Sequence, residues 1–146
     1  MIHAASADQA SLLADLHARA FDRPWSAAEV SKLMGNAAVF AILSQAGSAP
    51  SGFAMAWAAA GDSELLTVAV LPEARRQGLG AELVGAAAAA ALARGAGSMH
   101  LEVAEDNSAA RALYEKLGFT QTGRRPSYYA AAHGRVDAIT MRLALV

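Results

Sequence analysis

The sequence predicts a single mixed α/β layer domain spanning residues 1–146, with elements in the order β-αα-βββ-α-β-α-ββ. Three observations carry that prediction. Hydrophobic residues make up 55% of the 146 positions and charged residues 17%, so the chain can bury a sizeable core. The apolar pattern alternates along the chain between the strand repeat and the helical repeat. Clusters of Gly, Pro, Ser and Asp punctuate the changes, and neither an internal repeat nor a shift in composition marks a second domain.

Each element follows from its own residues. Ile2 to Ala5 reads as a short strand. Ser6 or Asp8 can cap a helix over about residues 7–20, because Leu12, Leu13, Leu16 and Ala20 fall on one face. Arg23-Pro24-Trp25-Ser26 interrupts it. Ser26 and Glu29 stand at capping-box spacing, which starts a second short helix that ends near Gly35. Ala38 to Leu43 reads as a strand, and Gly47-Ser48-Ala49-Pro50-Ser51-Gly52 as a turn. Phe53 to Ala59 and Glu64 to Leu71 continue a meander around Gly61-Asp62, and Pro72 stops it. Gly78 to Arg94 is a long helix dominated by Ala, the best helix former, and Gly95 closes it. Met99 to Ala104 is a strand, and Asn107 to Leu117 a helix with Gly118 after it. Phe119 to Thr122 and Ala138 to Leu145 are the last strands, around a Tyr-containing segment.

Charge and composition exclude several function classes. The net charge is -1, so no basic surplus exists to neutralise many phosphates, and no direct nucleic-acid partner is expected. The chain has no cysteine, which removes disulfides, thiolate nucleophiles and cysteine-ligated zinc. The histidines at 3, 17, 100 and 133 show no metal-ligand spacing, so no metal is expected. The helical apolar run Leu83 to Ala93 falls short of the roughly 20 residues that a spanning helix needs. Met1-Ile2-His3-Ala4 lacks the basic start and apolar run of a signal peptide. The expected location is the cytoplasm, with no membrane partner.

Arg75-Arg76-Gln77-Gly78-Leu79-Gly80-Ala81 sits between a strand and the long helix. Glycines let a ligand approach the backbone, and a helix start offers unpaired N–H groups with positive potential. Together they suit a pyrophosphate. No Lys follows the glycines, so this is not a P-loop. Leu83 stands where a dinucleotide fingerprint needs its third small residue. A glycine-rich turn that merely starts a helix fits the spacing equally well.

Beyond spacing, Leu65-Leu66-Thr67-Val68-Ala69-Val70 followed by Arg75-Arg76-Gln77-Gly78-Leu79-Gly80 resembles the acetyl-CoA motif of the GCN5-related N-acetyltransferases (GNAT). Asn107-Ser108-Ala109-Ala110-Arg111-Ala112-Leu113-Tyr114-Glu115-Lys116-Leu117-Gly118-Phe119 resembles that family's second signature. Three further features resemble its RimI-type branch, the bacterial ribosomal-protein-alanine N-acetyltransferases. They are Phe21 with Pro24-Trp25-Ser26, Leu101-Glu102-Val103, and Arg124-Arg125 with Tyr128-Tyr129 before Gly134-Arg135-Val136-Asp137-Ala138. The resemblance spans essentially the whole chain. It implies the GNAT fold, a mostly antiparallel mixed sheet of about seven strands flanked by about four helices.

The resemblance also implies a reaction: direct transfer of acetyl from acetyl-CoA to the α-amino group of the N-terminal alanine of a ribosomal protein. Val68, Ala69 and Val70 then lie along the pantetheine and acetyl end. Arg76, Gln77, Gly78, Leu79, Gly80 and Ala81 hold the pyrophosphate, with Arg75 and Arg76 as mobile positive charge. Glu102 matches the general base, Tyr114 the general acid that protonates the CoA thiolate, and Asn107 a CoA contact. Trp25, Tyr128 and Tyr129 are candidates for shaping the peptide slot.

Read without the family, each residue has a plainer role. Glu102 alternates to the face of His100 and Ala104, away from Met99, Leu101 and Val103, and fits a sheet-edge carboxylate paired with an Arg. Tyr114 shares a helix face with Ala110, Leu113 and Leu117 and fits a core aromatic with a hydrogen-bonded hydroxyl. Asn107 fits an N-cap. Within the same fold the acceptor alternatives are a small-molecule amine or a broad range of protein N-termini. A catalytically weak acetyl-CoA-binding module, or the partner subunit of a larger modification complex, is the alternative of a different class. The segment Ala104-Glu105-Asp106 is acidic enough to favour a basic peptide, and Ala130-Ala131-Ala132-His133 carries no chemistry.

Overall fold

A computed structural model of the chain describes residues 1–131 and 134–146. Its strands are β1 (Ile2–Ala5), β2 (Val39–Ala46), β3 (Ala49–Ala59), β4 (Asp62–Val70), β5 (Ser98–Ala104), β6 (Thr120–Ala131) and β7 (Gly134–Ala144). Its helices are α1 (Ala10–Ala20), α2 (Ala27–Met34), α3 (Leu79–Ala93) and α4 (Ser108–Lys116). The strands form one seven-stranded sheet in the order β1-β2-β3-β4-β5-β7-β6. All the pairings are antiparallel except β4 with β5. The expected mixed sheet with four helices is therefore present. Ala132 and His133, part of the run that carries no chemistry, lie outside the described residues.

The sheet is covered on both faces. On one face Leu83, Val84, Ala87 and Ala91 of α3 and Tyr114 of α4 pack on Leu65, Met99, Leu101, Val103, Ile139 and Met141. On the other, Leu13 and Leu16 of α1 and Val30 of α2 pack on Leu43, Phe53, Met55 and Ala69. Strand alternation produces this split, because neighbours in a strand point to opposite faces. Small side chains along α3 permit a close approach to the sheet, which accounts for its Ala run.

Local sequence sets most boundaries. Ser26 and Glu29 form the expected capping box, each backbone N–H donating to the other side chain at 3.1 Å. Asn107 caps α4, its Oδ1 accepting from the Ala110 N–H at 3.2 Å. The first helix is preceded by a tighter 3-10 turn at Ala7–Gln9, so α1 proper begins at Ala10.

Two expectations are corrected. Gly47 to Gly52 is not all turn, since β3 begins at Ala49. Pro50 is accommodated there because it pairs with Gln45 beside a bulge, where a strand can lack one N–H donor. The Tyr-containing segment is likewise strand. β6 and β7 make a long hairpin whose register breaks at Gln121/Gly123 and again at Arg125/Tyr129. Gly123 and Pro126 conceal that strand in the sequence, because both weaken the strand pattern.

Candidate active site

β4 and β5 form a fork. Their ladder comprises Ser63 with Met99 and Glu64 with His100, and no further pairing. From there β4 runs on to Val70 and β5 to Ala104 without pairing to each other. A bulge helps to part them. Ala56 of β3 pairs with Leu65 and Met55 with Thr67, so Leu66 is one extra residue in β4. The insertion resets the alternation. Leu65, Val68 and Val70 all face α3 and α4, while Leu66 and Ala69 face α1 and α2.

An open cleft of about 740 Å³ lies at the open end. Val68 and Val70, the start of α3, and Asn107, Ala110, Leu113 and Lys116 on the α4 side all line it. Phe21, following α1, lines its other edge.

The start of α3 has open backbone donors, an arrangement that suits an anion. Gly78 precedes it at φ +78°, a left-handed conformation that favours Gly, and no side chain caps the helix. The Glu82 N–H is the first to bond back, to the Gly78 carbonyl at 3.1 Å. The N–H groups of Leu79, Gly80 and Ala81 precede that bond and have no partner within the helix. Arg76 is also left-handed, at φ +65°, a conformation uncommon for residues with a side chain. A Cβ on Gly80 would stand 3.2 Å from Leu113 Cδ2, so this glycine also lets α4 close in.

Of the predicted cofactor residues, Val68, Val70, Arg76, Gly78, Leu79, Gly80, Ala81 and Asn107 come together around this cleft. Ala69 does not. Its side chain is buried in the opposite core, so only its backbone is available on this side. Gln77 turns outward to a second hollow, beside Met1, Glu73 and Glu82. Arg75 is not mobile charge. Its Nε donates to the Val70 carbonyl at 3.0 Å and its Nη2 to the Ala20 carbonyl at 3.3 Å, which ties the end of β4 to the end of α1. Sequence reading passed over Ala109, Leu113 and Lys116 as cleft residues. Their helical spacing from one another, i, i+4 and i+7, is the available signal.

Neither candidate catalytic residue, Glu102 or Tyr114, is among the residues that line this cleft. Glu102 is on β5, an interior strand rather than an edge, and its side chain is 24% exposed. Its Oε1 lies 3.3 Å from Nη2 of Arg125, so the expected Arg partner exists. Tyr114 is buried, edge-on to Phe119 with ring centroids 5.7 Å apart. Among the described residues its hydroxyl has no hydrogen-bond partner, unlike an ordinary core tyrosine. Burial pushes its phenol up to about 12, and nearby Tyr129 adds to that shift. Burial also raises the Tyr129 phenol, and the Glu102 carboxylate raises it further. Tyr129 thus stands within electrostatic reach of both Glu102 and Tyr114.

The rim has two supports. After α1, His17 is buried and stacks on Trp25 at 4.7 Å, with Phe21 at 4.4 Å. Its Nδ1 accepts the Trp25 backbone N–H at 3.1 Å. In the hairpin, Tyr128 and Tyr129 meet edge to face at 5.1 Å. Among the described residues no helix is long and apolar enough to cross a membrane. Among the same residues no cluster of His, Asp and Glu has the arrangement to hold a metal ion.

Comparison with known proteins accords with this geometry. The chain is 37% identical over 125 residues to the [ribosomal protein bS18]-alanine N-acetyltransferase of Escherichia coli, covering 86% of this chain and 84% of that one. The crystal structure of the ribosomal-protein-S18-alanine N-acetyltransferase from Escherichia coli superposes with a TM-score of 0.93 at 30% identity, covering 99% of this chain and 93% of that one. NAA60 of Arabidopsis thaliana, solved in complex with acetyl-CoA, shares the fold with a TM-score of 0.84 at 13% identity, covering 99% of this chain and 97% of that one. Residues 10–119 match the family profile described as Acetyltransferase (GNAT) family. With fork, uncapped helix and cleft in place, the chain belongs to the GNAT acetyltransferase family.

Proposed function

We propose that this protein transfers acetyl from acetyl-CoA to the α-amino group of the N-terminal alanine of a ribosomal protein, in the cytoplasm. One observation carries the chemistry. A carboxylate, Glu102, and a phenol that stays protonated at neutral pH, Tyr114, are both within electrostatic reach of Tyr129, and the helix next to Tyr114 lines a cleft that ends in an uncapped helix N-terminus. The likeness to the Escherichia coli enzyme supports the acceptor, as that relative carries its substrate in its name.

The residues fit acetyl-CoA. The N–H groups of Leu79, Gly80 and Ala81 suit its pyrophosphate, and the apolar walls Val68, Val70 and Leu113 suit its pantetheine arm. The cosubstrate supplies an acetyl group activated as a thioester. The chain's residues supply positioning and proton handling. Glu102 accepts a proton from the acceptor ammonium, whose ordinary pKa is about 8, directly or through a water. The free amine then forms a C–N bond as the C–S bond breaks. Tyr114 donates its hydroxyl hydrogen toward the departing sulfur. A phenol near 12 is a weaker acid than an ordinary thiol near 8.5, so its contribution in this state is a hydrogen bond to the developing thiolate.

The direct test follows CoA thiol release with acetyl-CoA and a short peptide beginning Ala-Arg, with the product read by tandem mass spectrometry. A control peptide carries a blocked α-amine and a free lysine. Acetyl on the α-nitrogen alone is the expected result. Transfer only to small amines would overturn the peptide reading.

A further inference from the structure

Two adjacent arginines on β6 have very different surroundings. Arg124 is locked, its Nη1 lying 2.7 Å from Glu105 and 2.7 Å from Asp137. Arg125 has one longer contact, 3.3 Å to Glu102, and its side chain is 55% exposed. It also lies over the Tyr128 ring, 5.2 Å from the centroid.

Strand register shows how Arg125 reaches Glu102. Arg125 pairs with Ala138 on β7, and Ala138 pairs with Ala104 on β5. Arg125, Ala104 and Glu102 therefore share one face of the sheet. To touch Glu102 the guanidinium crosses β7, an offset of roughly 10 Å between the outer strands. Ala138 lies on that path and is small enough to let it pass.

The backbone around Arg125 does not depend on this contact. Between Arg125 and Tyr129 the hairpin register slips, and Ser127 is left-handed at φ +53°. The Ser127 N–H donates to Asp137 Oδ1 at 2.8 Å. Arg135 donates to the Ser127 carbonyl at 2.6 Å and to the Tyr128 carbonyl at 2.9 Å. Arg124, Asp137 and Arg135 pin the bulge, whereas the Arg125 side chain is held only at its tip.

The site also carries spare negative charge. Both Glu102 and Glu64 raise the Tyr129 phenol, so two carboxylates stand near it. A single loosely held guanidinium faces them. An arriving α-ammonium carries the same charge as that guanidinium and needs the same carboxylate.

We propose that Arg125 is a positioning residue that acts as a placeholder for the acceptor amine. It occupies Glu102 in the free enzyme, and the substrate ammonium displaces it toward the Tyr128 ring. The inference rests on the function proposed above and assigns to that site an exchange of cations. Arg125 keeps the carboxylate paired between turnovers and gives it up cheaply, since its guanidinium is exposed and makes a single 3.3 Å contact, worth on the order of 1 kcal/mol.

The test is calorimetric binding of the Ala-Arg peptide to full-length enzyme loaded with CoA. Arg125→Gln removes the competitor. The free-amine peptide should then bind about fivefold tighter, the factor that about 1 kcal/mol corresponds to. The same peptide with a blocked α-amine should bind unchanged, and Arg125→Lys should restore wild-type affinity. In a Glu102→Gln background, Arg125→Gln should bring no gain. A merely structural Arg125 predicts weaker binding of both peptides, and that result overturns the proposal. So does a gain that persists without Glu102. Transfer by the unmodified enzyme to the same peptide separates the two failures. Transfer without the binding contrast defeats the placeholder alone, while absence of both transfer and peptide binding defeats the function as well.

Discussion

The two ends of the β4–β5 pair are made from the same two strands and behave as opposites. At the closed end, short polar side chains knit the strands together. The Ser63 hydroxyl donates to the Ser98 carbonyl at 2.7 Å, the Ser98 hydroxyl to Asp62 Oδ1 at 3.1 Å, and His100 Nε2 lies 3.0 Å from Asp62. At the open end, apolar residues and an extra Leu leave no ladder, and the gap becomes a cleft. Side-chain hydrogen bonds are concentrated at one end and the cleft at the other. A parallel pair gains little from a two-residue ladder, so the polar staple keeps the fork from opening throughout its length.

That contrast can be broken most severely at the open end. Glu102→Gln should lower kcat/KM by about 10³ and Tyr114→Phe by about 10², within the usual range of acid–base contributions, while leaving acetyl-CoA affinity intact. Stopped-flow or steady-state turnover with calorimetry on the same samples checks both values. Undiminished turnover in either variant would remove that residue from its proposed role. Because the Tyr114 hydroxyl has no partner among the described residues, Tyr114→Phe should barely move the denaturation midpoint.

Ser63→Ala should do the converse. It deletes a buried hydrogen bond at the closed end and should cost about 1–2 kcal/mol in urea unfolding, with turnover preserved below the transition. A large loss of activity in the folded variant would show that the two ends are not separable.

The smallest effect concerns His17, which belongs to neither end. Burial lowers its pKa below the ordinary 6.5, with the Glu29 carboxylate partly opposing that shift. The unfolded chain therefore binds the extra proton first. The stabilisation is full above pH 6.5 and is lost as the pH falls from there through the lowered folded value. Protonation also turns Nδ1 into a donor, which ends its bond from the Trp25 N–H. Melting curves from pH 7.5 to 5 should slope downward, and His17→Gln should flatten that slope. An unchanged slope would mean that His17 is not the titrating group.

Much of this was legible in the residues. Ser26 with Glu29 and Asn107 with Ala110 announce helix starts through local hydrogen bonding, which depends on near neighbours only. Gly78 and Gly80 mark the turn that opens α3 for the same reason. Three features were hidden. Leu65-Leu66-Thr67-Val68 reads as an unbroken apolar strand, so nothing in its composition reveals that Leu66 is surplus. Gly123 and Pro126 disguise β6 as a loop, because the bonds that hold it come from Asp137 and Arg135 on the other arm. The contact between Arg125 and Glu102 depends on strand order, which no short stretch encodes.

The surplus residue in β4 makes length itself a carrier of information. Any substitution at Leu66 preserves the parity of the strand, and Val68 and Val70 keep facing the cleft. Loss of Leu66 would leave Leu65 opposite Ala56 and Thr67 opposite Met55 as a regular ladder, with Ala69 and the two valines on the faces they already have; it would remove the bulge that helps to part β4 from β5. Deletion of Leu66 should therefore spare both cores and narrow the cleft, at a position where nearly any apolar side chain would serve.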